Sequence, residues 1–484
     1  MSHDALIAAT ALDVLELLER GDTHPLELID ALEARVAAVD GDVNAIVTEA
    51  FDRARALAGE LMKRPAEEQG LLRGLPVAIK DLEPVDGVRS TFGSPIFSDF
   101  VPTGSDAVVE QVESNGGIVY AKTNTPEFGA GANTFNEVFG ATRNPWDTSK
   151  SCAGSSGGSA VALATGTAWL ASGSDLGGSL RNPASFCSVV GFRPSPGRVA
   201  KGATTPGSYP DSLGGMPNDP FSITGPMARN VPDVALLLDA MTGHHPSDTL
   251  SLPREAVSYR QAVSEQRRPA RVAFSPDFGV TPVDPEVAAI CRQAAQRFAD
   301  MGCDVVEAHP DFHDVQEIFQ TYRAISFYVT KKTLLDAHRE LLKPEVIWNI
   351  ERAGEVTMDD LTRVERARSA YLARTVAFFA DYDLLLSPAT IVPPYPVEER
   401  FVARCGDVEF SNYIEWCTIA YAITLTSCPA ISVPAGFTAA GLPVGLQIVG
   451  KPRGEADLLS AAALYEAANP MADPVPITPR APRS

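Results

Sequence analysis

The stretch "CAGSSGGSA", residues 152–160, admits three incompatible readings. Taken as G-x-S-x-G, it makes Ser156 the nucleophile of an α/β-hydrolase, which requires a strand entering the serine and a histidine partner. Taken as a glycine-rich nest, it holds an anion and does no chemistry. Taken with partners elsewhere in the chain, it belongs to a site that works without histidine.

The flanking residues separate these readings. The preceding "RNPWDTSKSCA" (143–153) is polar and rich in turn formers, so it reads as a loop where an elbow needs a strand. The five histidines from His244 onward satisfy the chain order of a triad, so the missing strand is what counts against the elbow. An S-x-x-K motif is excluded, because no lysine has a serine three residues before it. The following "SAVALATG" (159–166) reads as a short helix whose N-terminus favours negative charge, but the Gly-Lys-Ser/Thr of a phosphate loop is absent. A lone Gly/Ser loop is ordinarily only a turn.

Two partners elsewhere point to the third reading. "SDLGGSLRNPASFC" (174–187) carries a second glycine-bounded serine, Ser179, and "GLPVAIKD" (74–81) ends an apolar strand at Lys80. A serine hydroxyl is a weak nucleophile and needs a base. A free lysine, with a pKa of about 10.4, is protonated at neutral pH and cannot serve as one. Desolvation disfavours the ammonium, and an apolar strand end supplies that desolvation.

These three blocks closely resemble the amidase signature family. The resemblance extends through "NTPEFG" (124–129), "GATRNPWD" (140–147), "GPMARNVPDVALLLDAMTG" (225–243) and "PAISVPAGFTAAGLPVGLQIVG" (429–450). It implies an amidase signature fold: one large α/β domain with a mixed central sheet covered by helices on both faces. It implies that Lys80 is the base, Ser155 a proton relay preceded by a cis peptide bond, and Ser179 the nucleophile. The N–H groups of Leu176, Gly177, Gly178 and Ser179 would form the oxyanion hole, and Gly129, Gly131 and Ser155 would contact substrate.

The implied reaction is hydrolysis of the C–N bond of a small carboxylic amide through an acyl-enzyme, with anilides, esters or carbamates as further substrates. No metal or organic cofactor is required. The alternative is a glutamine-hydrolysing A-type subunit of a tRNA-dependent amidotransferase. Residues 206–230 are longer than that subunit's pattern, which favours a free-standing enzyme. The resemblance suggests a homodimer. Asp175 and Arg181 read as a structural pair bracing the nucleophile loop, Ser156 and Ser159 as loop and helix-start residues, and Cys187 as a core thiol. Cys152 and Ala153 replace the family's usual proline and glycine without touching the chemistry.

Composition agrees with an enzyme of small molecules. The 484 residues carry a net charge of −21, with 45% hydrophobic residues, which disfavours nucleic acid and anionic membranes as partners. Seven cysteines without CxxC spacing suggest neither a disulfide framework nor a zinc site. The absence of a secretory h-region and of a membrane-spanning apolar run points to the cytoplasm.

Strands alternate with helices along the chain, which favours a single domain over residues 1–470. Helices are expected over 5–65, with Pro25 at a first helical position, and over 105–116 with Ser105 as cap. Another is expected over 284–302. Strands are expected in "GIVYAKTN", "RVAFSPDF", "CDVVEAHP", "YDLLLSPAT", "PAISVPAG" and "VGLQIVG". A helical region over about 312–420 would cover the substrate, with Phe327, Tyr328, Trp348, Tyr413 and Trp416 as candidate pocket aromatics, although aromatics at helical spacing are more often core. The Pro-rich segment 471–484 reads as a loosely ordered tail.

Overall fold

Valine, isoleucine and leucine runs too short for helices build the centre of the molecule. The computed structural model describes residues 2–215, 219–471 and 474–482. Among these the strands are β1 (Ile46–Glu49), β2 (Pro76–Lys80), β3 (Ile118–Thr123), β4 (Phe135–Asn136), β5 (Gly140–Ala141), β6 (Leu170–Asp175), β7 (Val190–Arg193) and β8 (Ile223–Ala228). The later ones are β9 (Arg271–Phe274), β10 (Asp304–Glu307), β11 (Leu384–Pro388), β12 (Arg404–Cys405), β13 (Val408–Glu409), β14 (Ala430–Phe437) and β15 (Pro443–Val449).

Eleven of them form one mixed sheet in the order β1-β3-β2-β6-β8-β7-β14-β15-β11-β9-β10. Parallel pairs lie toward its two ends, β3–β2–β6 and β11–β9–β10. The middle is antiparallel. Every residue of β2, β3, β8, β11 and β15 is buried, so both faces of the sheet are covered. This is the α/β architecture that the resemblance implies.

The N-terminal helices are His3–Ala8, Ala11–Arg20, Pro25–Val43 and Phe51–Leu61, and Pro25 does open its helix. They are not continuous: "IVTE" forms the edge strand β1, antiparallel to β3. The helix Ala107–Ser114 is capped by Asp106, whose carboxylate accepts the Val108 N–H at 3.0 Å. Ser105, the expected cap, accepts from Asp86 N instead. Over the sheet lie the helices Val315–His338, Pro344–Arg352, Met358–Asp381 and Thr418–Thr426. Their core is anchored by Phe319 stacked on Tyr421 with centroids 3.9 Å apart. A smaller cluster joins Phe327 to Phe92, Phe97 and Ala130, tying the helical cover to the loops after β2 and β3.

The C-terminal segment departs from expectation. Residues 472–473 and 483–484 of the anticipated tail lie outside the described residues, but 474–482 run across the body of the molecule. Ile477 N donates to Ala164 O at 2.8 Å, Arg480 N donates to Pro145 O at 2.9 Å, and the Arg480 guanidinium covers the Trp146 ring at 4.6 Å. Arg35 Nη2 adds a bond to Ile477 O. The prolines remove donors, and these remaining donors find partners on the first half of the chain. Removing residues 474–484 should therefore lower the melting temperature by several degrees in scanning calorimetry. An unchanged transition would show that the strap contributes nothing.

Candidate active site

The site is assembled at the ends of β2 and β6. Val77, Ala78, Ile79 and Lys80 are all fully buried, so β2 carries the Lys80 amine into a region shielded from solvent. Its Nζ donates to Ser155 Oγ at 2.7 Å, Ser156 Oγ at 2.9 Å and Ser174 Oγ at 3.0 Å. Among the described residues no carboxylate forms an ion pair with it; the buried Lys122, by contrast, pairs with Asp81 at 3.2 Å. Burial pushes the Lys80 ammonium down from 10.5 to about 7, against the pull of the more distant Glu83 and Asp175. Three neutral hydroxyls solvate the amine without locking it in the charged form.

Ser155 follows a cis peptide bond from Gly154, as the resemblance implies. Ser156 begins the helix Gly157–Thr165 but does more than start it. Its Oγ accepts from Lys80 and from Ser174 N, and donates to Ser174 O. No sequence motif singles out Ser174, on β6. Ser156 and Ser174 together fix where the Lys80 amine points. The local signal for Ser156 is its position in "GSSGG"; alternation along β6 offers none that separates Ser174 from a core serine.

Ser179 lies between β6 and the helix Arg181–Cys187. Ser156 N donates to Ser179 O at 3.2 Å, which holds the two serine loops together. Among the described residues, nothing hydrogen-bonds the Ser179 hydroxyl. The loop hangs on Asp175. Its carboxylate accepts Gly178 N at 3.0 Å, Leu180 N at 3.1 Å, and Arg181 Nε and Nη2 at 3.0 and 2.8 Å. Arg193 approaches the same carboxylate at 3.6 Å. Burial alone would raise the Asp175 carboxyl, but the charges of Arg181 and Arg193 and these bonds hold it well below the usual carboxylate range.

Of the four backbone donors that the resemblance implies for an oxyanion hole, the Gly178 N–H donates to Asp175 Oδ1. The N–H groups of Leu176, Gly177 and Ser179 have no acceptor among the described residues. Gly178 has another reason to be glycine. Its φ is +96°, and a Cβ there would stand 2.5 Å from Asn182 Oδ1 and 2.6 Å from Ala420 Cβ.

A cleft of about 690 Å³ opens beside these groups, with Ser174 and Leu176 in its wall. Leu82, Phe92, Phe128 and Phe327 make its apolar side. Gly129 borders the site: a Cβ there would lie 3.3 Å from Ser155 Oγ. Gly131 is turned toward Lys343, whose Nζ would be 3.6 Å from its Cβ. Of the candidate aromatics only Phe327 lines the cleft. Tyr413 and Trp416 are core residues, Trp348 packs edge-on to Tyr413, and Tyr328 is 42% exposed. Cys187 is a fully buried thiol, raised far out of its reactive range by burial.

Comparison with known proteins gives the family. A sequence model of the Amidase family matches residues 27–459. The chain is 34% identical to an acylamidase of Rhodococcus erythropolis over 482 residues, covering 98% of each. It is 33% identical to the A-type subunit of the glutamyl-tRNA(Gln) amidotransferase of Moorella thermoacetica, covering 94% of this chain and 96% of that one. The crystal structure of a bacterial aryl acylamidase of the amidase signature enzymes superposes with a TM-score of 0.86 at 26% identity, covering 96% of both chains. The chain belongs to the amidase signature family. It is an enzyme that hydrolyses carbon–nitrogen bonds.

The Asp175 network generates a stability prediction. Asp175→Ala leaves the guanidinium groups of Arg181 and Arg193 buried without their countercharge, a loss of about 3–5 kcal/mol. Denaturant unfolding should show that drop, while Ser156→Ala, which leaves neutral partners and the Lys80 amine short of one hydroxyl, should cost less, about 1–3 kcal/mol. Equal effects would contradict the bracing role given to Asp175.

Proposed function

We propose that this enzyme hydrolyses small carboxylic amides through an acyl-enzyme on Ser179, with Lys80 as base and Ser155 as the relay between them. The observation that carries this reading is the Lys80 amine, fully buried, free of any ion pair among the described residues, and 2.7 Å from Ser155 Oγ. A neutral amine has two hydrogens and one lone pair. Ser156 and Ser174 are available for the two hydrogens, which leaves the lone pair to take the Ser155 hydroxyl proton.

The steps follow from that arrangement. As Ser155 gives its proton to Lys80, it takes the proton of Ser179, and Ser179 Oγ attacks the amide carbonyl carbon. The carbonyl oxygen becomes an oxyanion that the Leu176, Gly177 and Ser179 N–H groups can receive; such donors contribute about 2.7–4 kcal/mol each where they have been tested. The intermediate collapses, the C–N bond breaks, and the proton held by Lys80 returns through Ser155 to the leaving amine. Water then attacks the Ser179 ester by the same proton route and releases the carboxylic acid.

Esters and anilides fit the same sequence of steps. The relative from Moorella thermoacetica supports a second reading, glutamine hydrolysis within an amidotransferase complex. Turnover of a simple aryl amide by the purified chain alone separates the two.

Ser179→Ala should abolish amide turnover without unfolding, and an active-site serine probe should label Ser179; labelling of Ser156 would revive the elbow reading. Lys80 acts only when neutral, so kcat/KM should rise with pH through its lowered pKa and level off in the mildly alkaline range. An unperturbed lysine would keep the rate climbing toward pH 10.5. Lys80→Arg stays protonated and should lose about 10²–10⁴ in rate. Near-normal amide hydrolysis by Lys80→Arg would sink the mechanism.

A further inference from the structure

The cleft beside Ser174 and Leu176 carries a positive charge that the mechanism does not use. Lys331, on the covering helix Val315–His338, lies in its wall. Among the described residues its Nζ has one hydrogen-bond partner, Thr330 Oγ1 at 2.8 Å. Otherwise it rests over the rings of Phe327 at 4.8 Å and Phe128 at 5.5 Å. Among the described residues no carboxylate oxygen comes within ion-pair distance of it. One turn to the other side of Phe327, Arg323 likewise lacks a carboxylate partner among the described residues; its guanidinium covers the same ring at 4.8 Å and donates to Tyr413 Oη.

The carboxylates of the cleft are engaged elsewhere. Asp106 accepts Val108 N, Gly202 N and the Tyr209 hydroxyl. Glu83 accepts the Ser172 hydroxyl. Asp219 accepts Phe221 N, and Asp248 accepts Leu250 N and Lys201 N. The second lysine of the wall, Lys201, donates to the carbonyls of Asp219 and Ser222. Among the described residues, Lys201 thus fills two of its three donors and Lys331 only one, which makes Lys331 the less satisfied cation of this cleft. A partly buried charge without a partner is costly, and an anionic ligand removes that cost.

We propose that the substrate is an amide bearing a carboxylate, separated from the scissile bond by an apolar spacer, and that Lys331 binds this carboxylate while Phe128 and Phe327 flank the spacer. Arg323 adds to the positive potential behind Phe327. The inference rests on the amidase reading and names its substrate class. Burial lowers the Lys331 ammonium to about 8, with Arg323 adding to the effect and Asp219 and Glu127 opposing it, so it is charged at neutral pH.

Two pairs of chromogenic or fluorogenic anilides test this. One pair places the charge on the acyl side, glutaryl against butyryl p-nitroanilide. The other places it on the amine side, N-butyryl-4-aminobenzoate against N-butyrylaniline, followed by chromatography. One pair should show a preference for the anionic member of roughly ten- to hundredfold in kcat/KM, expressed mainly in KM, and identifies the side that carries the charge. Lys331→Met should reduce that ratio about tenfold or more, and Lys331→Arg should keep most of it. Because Lys331→Met removes an unpaired charge from the cleft wall, its melting temperature should not fall, which separates lost recognition from lost folding. Turnover of the neutral anilides without an anionic preference in either pair, or a preference that survives Lys331→Met, overturns the inference and leaves the amidase reading standing. No turnover of any of the four by the wild type overturns both.

Discussion

One buried carboxylate ties the catalytic half of the molecule together. Asp175 ends β6, and its two oxygens receive the N–H groups of Gly178 and Leu180 and the fork of Arg181, with Arg193 of β7 close by. A strand end, the loop that carries Ser179, the helix after it and a second strand are thus fixed to a single charge. Charged groups this deep persist only when their hydrogen bonds are nearly complete. The loop carrying Ser179 is accordingly held by its backbone, and its side chain is left unengaged among the described residues.

Against that rigid loop, Lys80 is handled in the opposite way. Asp175 is surrounded by cations and stays ionised, whereas Lys80 meets three hydroxyls and is pushed toward neutrality. The difference lies in the kind of partner and not in depth, since both are fully buried. Lys122 makes the comparison within one sheet: it lies near the end of β3 beside Lys80 and is equally buried, but it has Asp81 at 3.2 Å and the carbonyl of Glu83. Burial lowers both ammonium groups, and what separates them is the carboxylate: Lys122 has Asp81 as a direct partner besides the Ser90 hydroxyl, whereas Lys80 has hydroxyls alone.

Much of this was legible in the amino-acid order, and the rest was not for identifiable reasons. Apolar runs bounded by glycine and proline marked β2, β3, β9, β10, β11, β14 and β15, and Pro25 at a first helical position marked its helix. β6 and β8 were missed, because "LASGSD" and "ITGPMA" carry small residues and a proline that lower strand propensity. Lys80 was legible as a lysine ending an apolar strand, and the family resemblance added the role it implies. It could not show that Gly178 gives its N–H to Asp175, or that Ser174 approaches Lys80, since both depend on side-chain directions across the sheet.

The strap of residues 474–482 bears on how the molecule is made. Its partners, Arg35, Pro145 and Ala164, lie in about the first third of the chain, and Pro145 and Ala164 flank the loop that carries Ser155 and Ser156. β14 likewise enters the middle of the sheet beside β7, a strand made long before it. Closing such distant contacts carries a loop-entropy cost and makes folding slow. During synthesis the Ser155 loop is therefore complete in sequence long before the residues that clasp it exist. For that interval the nascent chain holds an unfinished sheet, and the clasp on the Ser155 loop is among the late contacts to form.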